Sequence, residues 1–366
     1  MSKFKRFSML AVALVGAAAL LGACGNNNNG SNGNAAQGGA AAQTDNKSAN
    51  DASAGNASNN GASNGASANN GSANKEAANE AANEAATRIV HTVKGDIEIP
   101  ANPQRVVAGY YHGTLLSLGI QPIGGSKEWW MGSPFLKEKE AAMTDIGSPA
   151  SVEKVLSLKP DLIVINDTLA DEYDSLSKIA PTLFVEYGST KNIHEEVQKF
   201  GELLNRKQEA DAWQAEYDNK AAQAREKLKD KLKPGTTAAL VEIDGKTLAV
   251  MGDNYGRGGE VIYNALQFKA PDWIQKNVID NGVQYQEVSM EKLGEIANAD
   301  YIFLSSYTET TEEQLKALTD SKVWQSLPAV KQGHVVPVDY KTYFYFDPVS
   351  ILGQIDTLSD KLLEIK

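Results

Sequence analysis

Along residues 87–366, short β-branched apolar runs alternate with segments whose apolar residues recur every three or four positions. "RVVAGY", "PIGG", "LIVIND" and "TLFVEY" read as strands, with helical "GTLLSLG" and "SVEKVLSLK" between them. Later the same alternation returns. "TAALVEI", "TLAVMG", "YIFLSS" and "VVPVDY" read as strands, and "GEVIYNAL", "SMEKLGEIA" and "TEEQLKALT" as helices. Such alternation predicts α/β layering with largely parallel sheets. Between the halves, Arg206 to Lys233 runs without Gly or Pro, and Trp213, Tyr217, Ala221, Ala224 and Leu228 share one helical face. Pro234-Gly235 ends it. The expected organisation is an N-terminal lobe over 87–205, a connecting helix over 206–233 and a C-terminal lobe over 234–366. Periodicity alone also allows this helix to belong to one large domain.

The first residues break this pattern. Lys3, Lys5 and Arg6 precede an apolar stretch from Phe7 to Leu21, and "LGAC" ends at Cys24. A basic start, a short apolar run and small residues make an export signal over 1–23. That run is too short for a stable membrane span. Cys24 is the chain's one cysteine, so a disulfide within the chain is impossible. "LGAC" resembles the bacterial lipobox, which implies acylation of Cys24; two acyl chains suffice for stable anchoring. Residues 24–86 are almost wholly Asn, Ala, Gly and Ser, too polar to offset the entropy of ordering. As a flexible coil this tether would reach about 45 Å.

Charge narrows the partners. The chain carries −11, and removing 1–23 takes away three cations and no acid, leaving −14. An acidic product argues against nucleic acid and against a polybasic membrane patch. Catalytic patterns are missing: there is no Gly-x-Ser-x-Gly, "HEEVQ" has Gln198 where a zinc-protease helix needs His, and the four His are scattered. No catalytic residue, metal site or cofactor is expected, and the chain does not read as an enzyme.

Aromatic residues are the positive signal. Ligands of open parallel sheets bind beyond the carboxyl ends of strands. The loops there hold Tyr110, Tyr111, Tyr187, Tyr255, Tyr307, Tyr340, Tyr343 and Tyr345, together with Phe344; Trp129 and Trp130 follow "PIGGS". Rings with polar tips suit a bulky, partly apolar small molecule, while Trp213 and Trp273 read as core. In "GDNYGRGGEV", Arg257 is the cation of this set. Glycine on both sides frees its backbone, and its guanidinium can donate several hydrogen bonds to ligand oxygens and stack on Tyr255. Gly-x-Gly-Gly is not a dinucleotide fingerprint, so the loop is expected to present a side chain and not to cradle a phosphate.

Together, the lipobox, "NPQRVV", "GSPASVEKVLSLKPDLIVI", "YGSTKNIHEEVQKFGELLNRKQEA", "GDNYGRGGEVIYNA" and "TYFYFDP" resemble the iron-siderophore substrate-binding lipoproteins of ABC importers, in particular those for hydroxamates of the ferrichrome and ferrioxamine type. The resemblance spans residues 87–366. It implies two Rossmann-like α/β lobes joined by one long rigid helix, with a shallow ligand cleft between them. It implies that Arg257 contacts hydroxamate oxygens, with Tyr255, Phe344 and neighbouring aromatics as walls. Relatives often carry Trp at the positions of Tyr255 and Phe344. The siderophore fills the iron's coordination shell, so no protein ligand to the metal is implied. Glu153 in "SVEKV" and Glu291 in "SMEKL" match the family's two permease-docking acids, although a Glu is also favourable at any helix start. A monomer tethered on the extracytoplasmic face of the membrane is expected, and the long leash favours a Gram-positive outer surface.

Other readings remain open. A catecholate carrier of the same fold would need several cleft cations, and a haem carrier would need an axial ligand such as His112. A surface adhesin, or an enzyme with an unrecognised site, is the alternative from another class.

Overall fold

The structure, a computed structural model, describes residues 86–127 and 131–365. The export signal, Cys24, all of the tether except Ala86, and Trp129 and Trp130 lie outside the described residues.

A hairpin of β1 (Thr87–Thr92) and β2 (Gly95–Pro100) leads into the first sheet. That sheet contains β3 (Val106–Ala108), β4 (Gly124–Gly125), β5 (Thr144–Asp145), β6 (Leu162–Ile165) and β7 (Thr182–Phe184), in the order β5-β4-β3-β6-β7. All its pairings are parallel. β3, β6 and β7 are buried throughout, which explains their unbroken apolar runs: both faces of a parallel sheet are covered.

The second sheet contains β8 (Ala238–Asp244), β9 (Thr247–Met251), β10 (Tyr285–Val288), β11 (Tyr301–Ser306) and β12 (Val335–Val338), in the order β10-β9-β8-β11-β12. Only β8, β11 and β12 are parallel. β9 returns antiparallel to β8 through Gly245, whose φ is 60°, and β10 is antiparallel to β9. The expected parallel arrangement thus holds for β8, β11 and β12 and gives way to antiparallel pairing at β9 and β10. Asp244-Gly245 is the short-range hairpin signal that would have shown it.

Helices His112–Ser117 (α1), Val152–Leu158 (α2) and Ile193–Leu203 (α3) cover the first sheet. Lys207–Leu228 (α4) joins the lobes, and buries Ala210, Trp213, Tyr217, Ala221, Ala224 and Leu228, the face read from periodicity. It ends five residues before Lys233. The chain from Lys229 leaves as a turn, with Leu232 N donating to Leu228 O at 2.8 Å, and Pro234 then disfavours helical backbone at Lys233. Glu312–Thr319 (α5) packs in the second lobe behind a capping box of Thr311 and Gln314. "GEVIYNAL" is helical, but wound as a π-turn over Glu260–Ala265.

The last helix, Pro348–Glu364 (α6), packs on both α4 and α1. Trp213 Nε1 donates to Pro348 O at 3.1 Å. Gly113 in α1 has no room for a Cβ, which would stand 2.5 Å from Asp347 Cβ at the cap of α6. One buried cluster runs from Val106, Leu162 and Phe200, through Trp213 and Tyr217, to Leu240, Phe303, Ile351 and Ile355. Two smaller clusters cover the outer face of each sheet. A fully buried ring such as Phe200 contributes about 3 kcal/mol.

Candidate ligand-binding cleft

The glycine loop after β9 has four consecutive residues with left-handed backbone: Tyr255 (φ 62°), Gly256 (97°), Arg257 (65°) and Gly258 (92°). Glycine relieves two of the four; the other two each cost on the order of 1 kcal/mol. The glycines also permit close approach. A Cβ at Gly256 would stand 2.5 Å from Phe344 O, and one at Gly259 1.9 Å from Gly252 O. The loop is thus packed on its own backbone and on the segment before α6, where a phosphate cradle would need open amides. Because β9 is antiparallel, this loop does not extend a carboxyl end of the parallel strands. Arg257 returns to that end, beside Glu242 of β8 and Tyr340 after β12.

Arg257 Nε lies 3.1 Å from Glu242 Oε2 and 3.3 Å from Oε1, and Ser305 Oγ donates to Glu242 Oε2 at 3.3 Å. The guanidinium carbon is 4.7 Å from the Tyr340 ring centre and 4.6 Å from that of Phe344. Stacking is therefore on these two rings and not on Tyr255. The Arg257 side chain is only 17% exposed and that of Glu242 7%. Burial raises the Glu242 pKa, and the guanidinium beside it limits the rise. An arginine between glycines reads as lightly packed, but here it is half of a largely buried ion pair. Neither Nη1 nor Nη2 has a hydrogen-bond partner among the described residues.

Two runs of rings flank this pair. Tyr307, Tyr340, Phe344 and Tyr345 touch in sequence, with centres 4.7, 5.2 and 5.3 Å apart. The other run crosses between lobes: Tyr110 meets Tyr187 at 5.9 Å, Tyr187 meets Tyr255 at 5.5 Å, and Tyr255 meets Phe346 at 6.1 Å. Contacts between the lobes are polar as well. Tyr255 OH donates to Thr190 O at 3.4 Å, and Tyr345 OH to Met131 O at 3.2 Å.

Of the candidate aromatics, the structure brings together Tyr110, Tyr187, Tyr255, Phe344 and Tyr345. It places two elsewhere. Tyr343 is 1% exposed, with its hydroxyl 3.0 Å from Thr357 Oγ1, so its ring belongs to the core. Tyr111 is 7% exposed, packs on Phe200 at 4.7 Å and donates to Val185 O at 3.3 Å. In both cases a loop tyrosine was within reach of a helix-lined interior. Phe346, Glu242 and Ser305 were missed. Glu242 had a signal, being a lone acid inside the apolar strand "AALVEI", a place where charge is seldom buried unpaired.

A second carboxylate is buried behind the first lobe's rings. Glu196 of α3 accepts from Thr114 Oγ1 at 2.5 Å, and burial raises its pKa to about 7. Asp347 caps α6 through Val349 N and Ser350 N, at 3.1 and 2.9 Å. His112 is buried with Nε2 2.9 Å from Glu140 Oε1, so it is engaged inside the lobe and does not reach toward an axial position on haem. No group of three metal-ligating side chains occurs among the described residues. Glu153 begins α2, and Glu291 lies in the short turn Met290–Lys292; both are exposed, one on each lobe. Exposed Val152 and Leu156 flank Glu153. This set of rings and one guanidinium can bind and orient a ligand; it contains no nucleophile–base pair.

Comparison with known proteins agrees with this architecture. Residues 106–341 match the family described as periplasmic binding protein. The chain is 38% identical to the iron(3+)-hydroxamate-binding protein YxeB of Bacillus subtilis, over 76% of this chain and 85% of that one. It is 35% identical to the iron(3+)-hydroxamate-binding protein FhuD of the same organism, over 73% and 84%. Among solved structures, FhuD2 from Staphylococcus aureus with bound ferrioxamine B superposes with a TM-score of 0.61 at 29% identity, covering 72% of this chain and 99% of that one. A FhuD fold-family component of a ferrichrome ABC transporter from Bacillus subtilis gives 0.67 at 33% identity, over 75% and 99%. Its two lobes, its bridging helix and these relatives all place the chain in the periplasmic binding protein family, the substrate-binding and non-enzymatic components of ABC importers.

Proposed function

We propose that the protein captures a ferric hydroxamate siderophore in the cleft and delivers it to an ABC permease. The observation that carries this reading is Arg257, held between Tyr340 and Phe344 with two guanidinium nitrogens unengaged among the described residues. Three hydroxamates balance the charge of Fe(III) and present oxygens at the complex's edge. One set of N–H donors among aromatic walls suits that surface. Tyr110, Tyr187, Tyr255 and Tyr345 would supply apolar contact, with Trp129 and Trp130 as further candidates. The relatives named for iron-hydroxamate binding and the ferrioxamine-bound neighbour support the same ligand class. The siderophore supplies the iron's ligands, so the protein needs no metal site or cofactor of its own.

Residues 1–23 would serve as export signal and Cys24 as the acylated anchor, with 24–86 as tether; "LGAC" supports this. No described helix is long and apolar enough to cross a membrane. Glu153 and Glu291 would dock a monomer on the permease: the two lie exposed near a helix start, one on each lobe, in the matching contexts "SVEKV" and "SMEKL".

The test is a fluorescence titration panel of ferric tris-hydroxamate, ferric tris-catecholate and haem. Tightest binding of the hydroxamate is expected; preference for either other ligand would overturn the reading. Iron uptake with E153K/E291K, and membrane fractionation of Cys24→Ser, check delivery and anchoring. Normal uptake by the first, or an unchanged membrane pool of the second, would remove those roles.

A further inference from the structure

Resting on the siderophore reading, we infer that Glu242 sets the charge selectivity of the cleft, by holding the Arg257 guanidinium in place while cancelling its positive charge. Arg257 is the one Lys or Arg among the described residues stacked on the cleft rings. A lone arginine would make the pocket cationic and attract polyanionic iron complexes. Glu242 prevents this. Its carboxylate stands 3.1 Å from Nε, on the protein side of the guanidinium, and is the less exposed partner at 7% against 17%.

The geometry of the pair separates orientation from ligand contact. Nε donates to Glu242 Oε1 at 3.3 Å, with Oε2 of the same carboxylate 3.1 Å from that nitrogen. A bidentate pair would engage a second guanidinium nitrogen as well. Here Nη1 and Nη2 are left over, and Tyr340 and Phe344 fix the plane in which they lie. Ser305 Oγ, 3.3 Å from Oε2, fixes the carboxylate in turn. The cleft thus offers N–H donors with almost no net charge. It favours complexes whose metal charge is already balanced, or which carry a cationic arm, over tris-catecholate or carboxylate complexes. Glu242 is a positioning residue, and it acts on the ligand through Arg257 and through the field.

The charge effect is large enough to measure. A buried carboxylate within a few ångströms of the ligand, at an effective dielectric of about 20 and after salt screening, discriminates by roughly tenfold per unit of ligand charge. Glu242→Gln keeps the shape and an acceptor for Nε, while removing the charge. Its expected result is a ratio of ferric tris-catecholate to neutral ferric tris-hydroxamate affinity raised at least about tenfold over wild type, through a gain for the catecholate. Equal loss for both complexes would mean that Glu242 only positions Arg257, and unchanged catecholate affinity would mean that its charge is not felt; either overturns the inference.

A second variant, E242Q/R257Q, removes both charges and also covers the case in which the single variant does not fold. It should lose hydroxamate affinity yet keep the wild-type ratio between the two complexes within about threefold. A ratio shifted toward the catecholate would overturn the inference. The readout is a ratio between ligand charges, so it separates from the functional reading. If wild type binds no hydroxamate but E242Q gains catecholate, the function falls and the role of Glu242 stands.

Discussion

Glu196 in the first lobe and Glu242 in the second are both buried beside the cleft, and the two are kept in opposite ways. Glu242 in the second lobe has a guanidinium at 3.1 Å and a hydroxyl from Ser305. Glu196 in the first has the Thr114 hydroxyl, and only a weak attraction from Lys199. Taking a charge out of water is costly in both places. The second lobe offsets that cost with a fixed countercharge, and the first with a proton, because burial lifts Glu196 to about 7. One half of the cleft therefore holds its carboxylate against a fixed countercharge, and the other holds a carboxyl whose charge follows pH.

Breaking the guanidinium pair should have the largest effect. Arg257→Ala leaves Glu242 buried without its cation and removes the free N–H donors at once. We expect a stability loss of about 3 kcal/mol by urea unfolding and a fall in hydroxamate affinity of roughly 10- to 100-fold. Recovery of most of the stability, but not of the affinity, in E242Q/R257A would confirm that the two losses have separate origins. An Arg257→Ala protein as stable as wild type would remove the pair from the energetics.

The protonated carboxylate predicts a pH slope. Its folded pKa lies above the ordinary value of 4.5, so the native state holds a proton that the unfolded chain has released. Stability then falls as pH rises from about 4.5 through 7, by at most about 3 kcal/mol. Glu196→Gln should match wild type near pH 5 and exceed it by about 2 kcal/mol at pH 8, since the amide keeps an acceptor for Thr114. Parallel stability curves for the two proteins across that range would refute the assignment.

The smallest effect sharpens the same contrast. Thr114→Val removes the hydroxyl that Glu196 accepts from, at a cost of about 1 kcal/mol. That hydroxyl favours the ionised form, so its loss should move the Glu196 transition to higher pH. A shift to lower pH in a carboxylate titration followed by NMR would contradict the contact.

The lobes and the joining helix were legible because they rest on periodicity. Trp213, Tyr217, Ala221 and Ala224 recur on one face, and that face is buried. The aromatic and arginine loops were legible as a collection; which members face a ligand was not. Tyr343 and Phe344 are neighbours in sequence, yet the first is fully buried and the second lies under Arg257. One turn of backbone decides between them, and nothing in residue type does. The Glu242–Arg257 pair joins positions fifteen apart across a hairpin that was itself read as parallel, so its partners could not be matched. Glu196 was hidden for another reason: "HEEVQ" offers two adjacent acids, of which α3 turns one inward.

The core cluster threaded through α4 and α6 has a thermodynamic consequence. Because Phe200 of one lobe and Phe303 of the other belong to the same buried cluster, loss of packing in either lobe would expose part of the other's core. The two should melt in one calorimetric transition. A siderophore touching only the rim would then raise the melting temperature of the whole body, by an amount set by RT ln(1 + [L]/Kd). Occupancy can in that way be read from heat alone, without a chromophore and without knowing which rings the ligand touches.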